Sequence, residues 1–235
     1  MTIQTCWRSA AGALAAVTAI AMIGLPAAPA HAWTYSATGQ WANFNFGNWT
    51  VYQNEWGSTA PCTLYANSAS DWATVGNWTG GGTKGYAHVQ LNPHLNYDMN
   101  SYWAVTGWNS LSNPSGAYCN WFFDVWTMNG SDELMVIEWD NNSGSWGTQI
   151  ASNVTIAGRF YSSVWQAWAG HNVIIFSPGS NRTSGSENIM AYLQWARGRG
   201  VLNNTSLDGW DFGVEETSGN GQWTCLGFWG SWGHN

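Results

Sequence analysis

Charge is what this sequence has least of. Of 235 residues, 6 are Lys or Arg and 13 are Asp or Glu, so charged side chains are 8% of the chain. An ordinary globular protein carries roughly a quarter. A polyanion needs a basic face, and a formal charge of −7 supplies none, which excludes nucleic acid as a partner. Cysteine is also scarce, with 4 in all and no Cys-x-x-Cys pair, and His88, His94, His171 and His234 lack metal-ligand spacing. The sequence therefore offers no metal and no cofactor site. Proline is limited to 6, and no Pro/Ser/Thr-rich linker divides the chain. Past residue 32 no apolar run is long enough to cross a bilayer. What the chain does have is 20 Trp and 28 Gly, with aromatics at 16%. Disordered chains are aromatic-poor and charge-rich, so disorder is excluded too. Tryptophan on a Gly/Asn/Ser background points to an all-β protein that binds or processes neutral sugars.

The first 32 residues read as a secretory signal. The apolar stretch Ala10–Leu25 is followed by Pro26, Pro29 and the small-residue triplet Ala30-His31-Ala32, an A-x-A cleavage site. The run is too short for a membrane anchor, and Cys6 precedes it, so it is no lipid-attachment cysteine. The expectation is a secreted, extracellular, monomeric protein with residues 33–235 as one domain. That domain keeps Cys62, Cys119 and Cys225, an odd count that allows one disulfide at most.

From Trp33 onward, short runs rich in Val, Ile, Thr, Trp and Tyr recur between turn-forming clusters. They include Trp49–Tyr52, Tyr86–Leu91, Tyr102–Thr106, Tyr118–Trp126, Glu133–Trp139, Val154–Ile156, Arg159–Ala167 and Asn172–Phe176. This rhythm predicts a β-jelly-roll sandwich of two curved antiparallel sheets. The exception is Ser186–Arg199, where Ile189, Leu193 and Ala196 fall at helical spacing. It predicts a single helix on the outer side of a sheet, capped by Ser186 and ended by Gly198 and Gly200.

In so uncharged a chain the carboxylates stand out. In Tyr118–Trp126, Cys119, Trp121, Phe123 and Val125 form an apolar face, so Asp124 shares the other with Asn120 and Phe122. The Asn129-Gly130 pair marks a tight hairpin, and the return strand brings Glu133 beside Asp124. There Glu133, Met135, Ile137 and Trp139 share one face, and Leu134, Val136 and Glu138 the other. Further on, Gly213 leaves room beside Glu215, which shares its face with Asp211, while Glu216 falls with Phe212 and Val214. A turn over Thr217–Gly221 is expected before a last strand, Gln222–Trp229. Glu55, Glu138 and Glu216 read as solvated strand residues. Two carboxylates in a Trp-lined groove are what glycosidic hydrolysis requires, one to protonate the leaving oxygen and one to attack the anomeric carbon or activate water.

These segments resemble glycoside hydrolase family 12. ELMVIEW around Glu133 is similar to its E-[LI]-M-[IV]-W strand, and Phe122–Trp126 to its A-Y-D-[LV]-[FW] strand. Phe212–Glu215 with Ser218–Gly221 resembles its F-G-x-E-P-[FW]-x-G-x-G segment. Gln40–Phe44, Val51–Gly57 and Thr83–Tyr86 match its opening Q-W, N-x-W-G and V-K-S-Y motifs. The matches follow family order along nearly the whole of 33–235. The chain departs by displacing the motif tryptophan to Trp139, by a shorter hairpin after Asp124, and by Glu216 where the family has proline. The cysteine that usually pairs with the Cys62 position is missing. The resemblance implies a secreted endo-β-1,4-glucanase of the retaining type, acting on cellulose-like or mixed-linkage glucans. The alternatives are a xyloglucan-specific endoglucanase, a jelly-roll xylanase and a non-catalytic β-glucan-binding module. It further implies Glu133 as nucleophile, Glu215 as acid/base and Asp124 as the residue orienting Glu133. Asn54, Trp56, Trp41, Met135 and Trp139 would bind substrate. If the signal is cut after Ala32, amino-terminal sequencing of the exported protein will begin at Trp33; a protein retaining its first residues would overturn that reading.

Overall fold

The computed structural model describes residues 31–57, 61–141 and 146–235. Most of the expected export signal, with Cys6, lies outside the described residues. The fold is all-β with one α-helix among the described residues. The strands in chain order are β1 (Tyr35–Thr38), β2 (Asn43–Phe46), β3 (Trp49–Tyr52), β4 (Thr63–Ser68), β5 (Asp71–Trp78) and β6 (Gly85–Leu91). Next come β7 (Tyr97–Asp98), β8 (Tyr102–Trp108), β9 (Ser110–Ser112), β10 (Tyr118–Thr127), β11 (Asp132–Asp140) and β12 (Thr148–Ile156). The last are β13 (Arg159–Trp168), β14 (Asn172–Pro178), β15 (Gly185–Asn188), β16 (Ser206–Leu226) and β17 (Trp229–His234), with helix α1 (Ile189–Gly198) between β15 and β16.

These strands build a jelly-roll sandwich. The larger layer runs β2–β3–β6–β16–β10–β11–β14–β13–β12, and the second runs β1–β4–β5–β16–β9. Every pairing is antiparallel except β11 with β14. A small sheet, β15–β8–β17, completes the fold. The alternation read from the sequence holds along β10: Cys119, Trp121, Phe123 and Val125 are fully buried in the main core, which Leu64, Trp72, Phe212, Val214 and Trp223 also join. A second, smaller cluster of Tyr86, Phe122, Ile137, Val173 and Ile175 belongs to the larger layer's other face.

Three expectations are corrected here. The turn expected over Thr217–Gly221 is absent. Strand β16 instead continues for 21 residues, leaving β10 and β6 in the larger layer to pair with β5 in the second. The helix begins at Ile189 with Asn188 at its N-cap, because Ser186 is taken up in β15. It packs against β8 and β12 and buries Ile189, Met190, Tyr192, Leu193 and Ala196. Finally, the β10–β11 register shifts between Trp121 and Phe122, so Trp121 faces Trp139 while Phe122 faces Ile137. That skipped residue moves Trp139 off the Glu133 face, and it packs against the main core. The three cysteines of the domain are free and buried.

Asn129 and Gly130 both adopt positive φ, as a tight hairpin demands. Just beyond, the wholly buried Asp132 ties this hairpin to the chain after α1. Its carboxylate accepts hydrogen bonds from Thr127 Oγ1 (3.0 Å), Asn172 Nδ2 (2.7 Å) and the backbone N–H groups of Asn203 (2.9 Å) and Asn204 (2.9 Å). Asp132→Ala should cost about 3 kcal/mol or more, because several buried donors lose their acceptor at once. A urea midpoint unchanged from wild type would refute this.

Candidate active site

Glu133 and Glu215 line the same groove, an opening of about 1160 Å³ across the larger layer that Asn120, Met135, Ile137, Trp165 and Ile175 also border. They approach it from opposite ends of the strand between them: on β10, Glu215 stands opposite Asn120 and Glu133 opposite Trp126. Asp124 lies between, opposite Met135 on one side and Asp211 on the other. Packed with Ile137 and Ile175 of the groove lining, the buried Tyr86 is stacked between His88 (4.6 Å) and Phe122 (4.7 Å). Gly213 is required here, since a Cβ would overlap Ala87 O and His88. Burial holds the His88 ring neutral, its pKa lowered to about 4.

The electrostatics divide the acids. Burial, then the charges of Glu133 and Asp211, push the Asp124 carboxyl well above the usual carboxylate range, and it is hydrogen-bonded to Glu133. Burial, reinforced by Glu133, does the same to Asp211. Asp124 therefore carries the proton of that bond and donates it to Glu133. Glu215 is also raised, by burial first and by the charge of Glu133 after it; Thr83 Oγ1, donating at 3.0 Å, pulls the other way. Burial rather than the neighbouring charge leads, a balance that spacing in sequence does not convey. Asn120 bridges Glu215 and Asp140. With its amide nitrogen on Asp140 Oδ1 at 2.7 Å, its oxygen faces Glu215 and can accept the proton that this carboxyl holds.

Sequence reasoning missed two residues. Asp211 was seen only as sharing a face with Glu215, yet strand register sets it directly across from Asp124. His171, dismissed as lacking metal-ligand spacing, meets Glu133 Oε2 through Nε2 at 2.5 Å. Cross-strand register could have flagged the first. Nothing local could have flagged the second, 38 residues away in sequence.

Of the expected substrate-binding residues, Met135 borders the groove and Trp139 does not. Trp56 and Trp41 are exposed, at 50% and 62%, outside the groove's immediate lining. Asn54 sits beside the groove, its carbonyl accepting the Tyr86 N–H (3.1 Å), and Gly57 N–H is bonded to Lys84 O (2.7 Å).

Behind the groove lie the acids expected in solvent, and all three are wholly buried. Glu138 is bound by Arg182 Nε at 2.6 Å, with Arg159 at 3.7 Å. Glu55 and Glu216 meet within the core, over Gly85, where a Cβ would overlap Glu55. Glu55 accepts from Trp78 Nε1 (2.7 Å) and Gln53 Nε2 (3.3 Å). Burial raises Glu55 to about 7 and lifts Glu216 well above its ordinary value, so the pair retains proton where free glutamates ionise.

No family model matches the chain. Among curated proteins it is similar to the xyloglucan-specific endo-beta-1,4-glucanase A of Emericella nidulans. The two are 25% identical over 202 residues, which cover 77% of this chain and 84% of that one. Among solved structures it is similar to the xyloglucanase domain of NopAA, a type three effector from Sinorhizobium fredii, in complex with cellobiose (TM-score 0.75, 19% identity, 86% of this chain and 99% of that one). It is likewise similar to the family 12 xyloglucanase from Bacillus licheniformis (0.73, 21%, 85% and 100%) and to the family GH12 endoglucanase 3 of Trichoderma harzianum (0.74, 20%, 86% and 97%). The fold is that of the family 12 glycoside hydrolases.

The Glu55–Glu216 pair sets a pH signature. Folded protein binds proton there that the unfolded chain releases above about pH 4.5, so stability is greatest in acid and declines as pH rises through about 7. Replacing both residues with Gln should flatten that decline in urea midpoints taken from pH 5 to 9. An equally steep decline in the double variant would assign it elsewhere.

Proposed function

We propose that this protein is a secreted, retaining endo-β-1,4-glucanase. The observation that carries the reading is that Glu133 and Glu215 border one sugar-sized groove while Asp124 donates a hydrogen bond to Glu133. Glu133 attacks the anomeric carbon, and the electron pair of the scissile bond leaves with the glycosidic oxygen, which takes its proton from Glu215. Glu215 then removes a proton from water, which attacks the glycosyl-enzyme and releases Glu133 as a carboxylate. Burial suits Glu215 to the first step, because it keeps the acid protonated where an exposed glutamate has ionised. Asp124 holds Glu133 in place without competing for the sugar. Met135 and Trp165 offer apolar surface to sugar faces, and Asn54 and Trp56 extend the binding track. An uncharged polymer suits a groove with so few cations.

A second reading is specificity for xyloglucan. It is favoured by the relatives, of which the curated protein and two of the three solved structures above are described as xyloglucan-cleaving.

The test is reducing-sugar release from carboxymethyl-cellulose, barley β-glucan, xyloglucan and xylan. Activity on a β-1,4-glucan should fall by roughly 10²–10⁴-fold in Glu215→Gln and at least as far in Glu133→Gln, with both variants folded. The product should retain the β anomer by proton NMR. Activity confined to xyloglucan selects the second reading. Xylan-only activity, inversion of the anomer, or polymer binding without hydrolysis each overturns the proposal. The kcat/KM profile should lose activity on its alkaline side as Glu215 gives up its proton, at a pH above the ordinary glutamate range.

A further inference from the structure

His171 sits in the tight connection between β13 and β14, where Gly170 takes a φ of 86° and Ala169 N–H bonds to His171 O at 3.0 Å. The next residue, Asn172, is buried and fixed by Asp132 Oδ1 (2.7 Å), Val201 O (2.8 Å) and Gln166 Nε2 (2.7 Å). The imidazole lies 5.1 Å from the Trp126 ring, and Trp126 is the cross-strand neighbour of Glu133. Backbone, ring and Nε2 are thus each held, and the contact they hold is the 2.5 Å one to Glu133 Oε2. Glu133 in turn stands among other acids, with Asp124 and Asp211 facing each other two residues further along the sheet and Glu215 across the groove.

We infer that His171 is a positioning residue that acts through Glu133, on the step that releases the sugar from it. This rests on the glycosidase reading above. The imidazole N–H bonds more strongly to a carboxylate than to an ester. In the first chemical step Glu133 loses its charge as the glycosyl ester forms, and the bond to His171 weakens. In the second, water adds to the anomeric carbon, its proton passes to Glu215, and the ester C–O electron pair returns to Glu133. His171 recovers its full bond there, so it favours departure of the carboxylate. With Asp124 donating as well, each bond fixes the carboxyl's rotation while a lone pair remains for the sugar.

The assignment predicts a kinetic signature that a merely structural histidine would not give. With an aryl β-cellobioside carrying a dinitrophenol leaving group, which needs no acid, His171→Leu should slow hydrolysis of the glycosyl-enzyme. Steady-state kcat should drop by roughly 10–100-fold, with KM falling alongside it and a burst of phenol appearing in the first turnover. His171→Gln places an amide N–H near the same point and should restore most of kcat and remove the burst. Thermal melts confirm that both variants fold. The contact itself is read by nitrogen-15 NMR, where the His171 Nε2 resonance should move in Glu133→Gln. Kinetics of His171→Leu within twofold of wild type, a loss without burst or KM change, or an unmoved resonance each overturns the assignment. A wild type that turns over none of the glucans or the cellobioside instead overturns the functional reading on which it depends.

Discussion

Strand β16 has to serve both layers of the sandwich at once, and the site is arranged by that constraint. Its first half pairs with β6 and β10, its second with β5 and β9, so its side-chain alternation is locked from several directions. Asp211, Gly213 and Glu215 are assigned to the groove face, and Phe212, Val214 and Glu216 to the core. A slip of one residue would exchange the two sets. The buried position of Glu216 is therefore the cost of the groove position of Glu215. The protein meets that cost by setting Glu55 against Glu216, beside a glycine on β6.

A groove this poor in cations can stay charged only in part. Burial decides which acids keep their protons, and Glu133 is the one given hydrogen-bond donors on two sides. Glu215 is the groove acid that burial, ahead of any neighbouring charge, holds above the ordinary glutamate range. The buried aromatic stack of His88, Tyr86 and Phe122 contributes by keeping water from one side of these acids.

Much of this was legible in sequence. The alternation in Tyr118–Trp126 and the Asn129-Gly130 turn put Asp124 and Glu133 on adjacent strands, because each rests on a local rule of period two or turn chemistry. What escaped depended on partners. A register shift opposite Trp121 and Phe122 is invisible in the strand that carries it, so Trp139 was assigned to the wrong face. Glu55, Glu138 and Glu216 were read as solvated because a lone strand cannot announce the arginine pair or second acid waiting across the core. His171 reaches Glu133 because β14 runs parallel to β11, the one parallel pairing among the described strands.

The length and position of β16 also govern the order of events in folding. It is the second-last of the described strands, yet five earlier ones, β5, β6, β7, β9 and β10, pair with it. Until residues 206–226 emerge, the two layers have no common member and the acid Glu215 has no site to enter. Such non-local pairing makes assembly slow. A chain still lacking its central strand therefore stays open, and the sandwich closes only once that strand has been made.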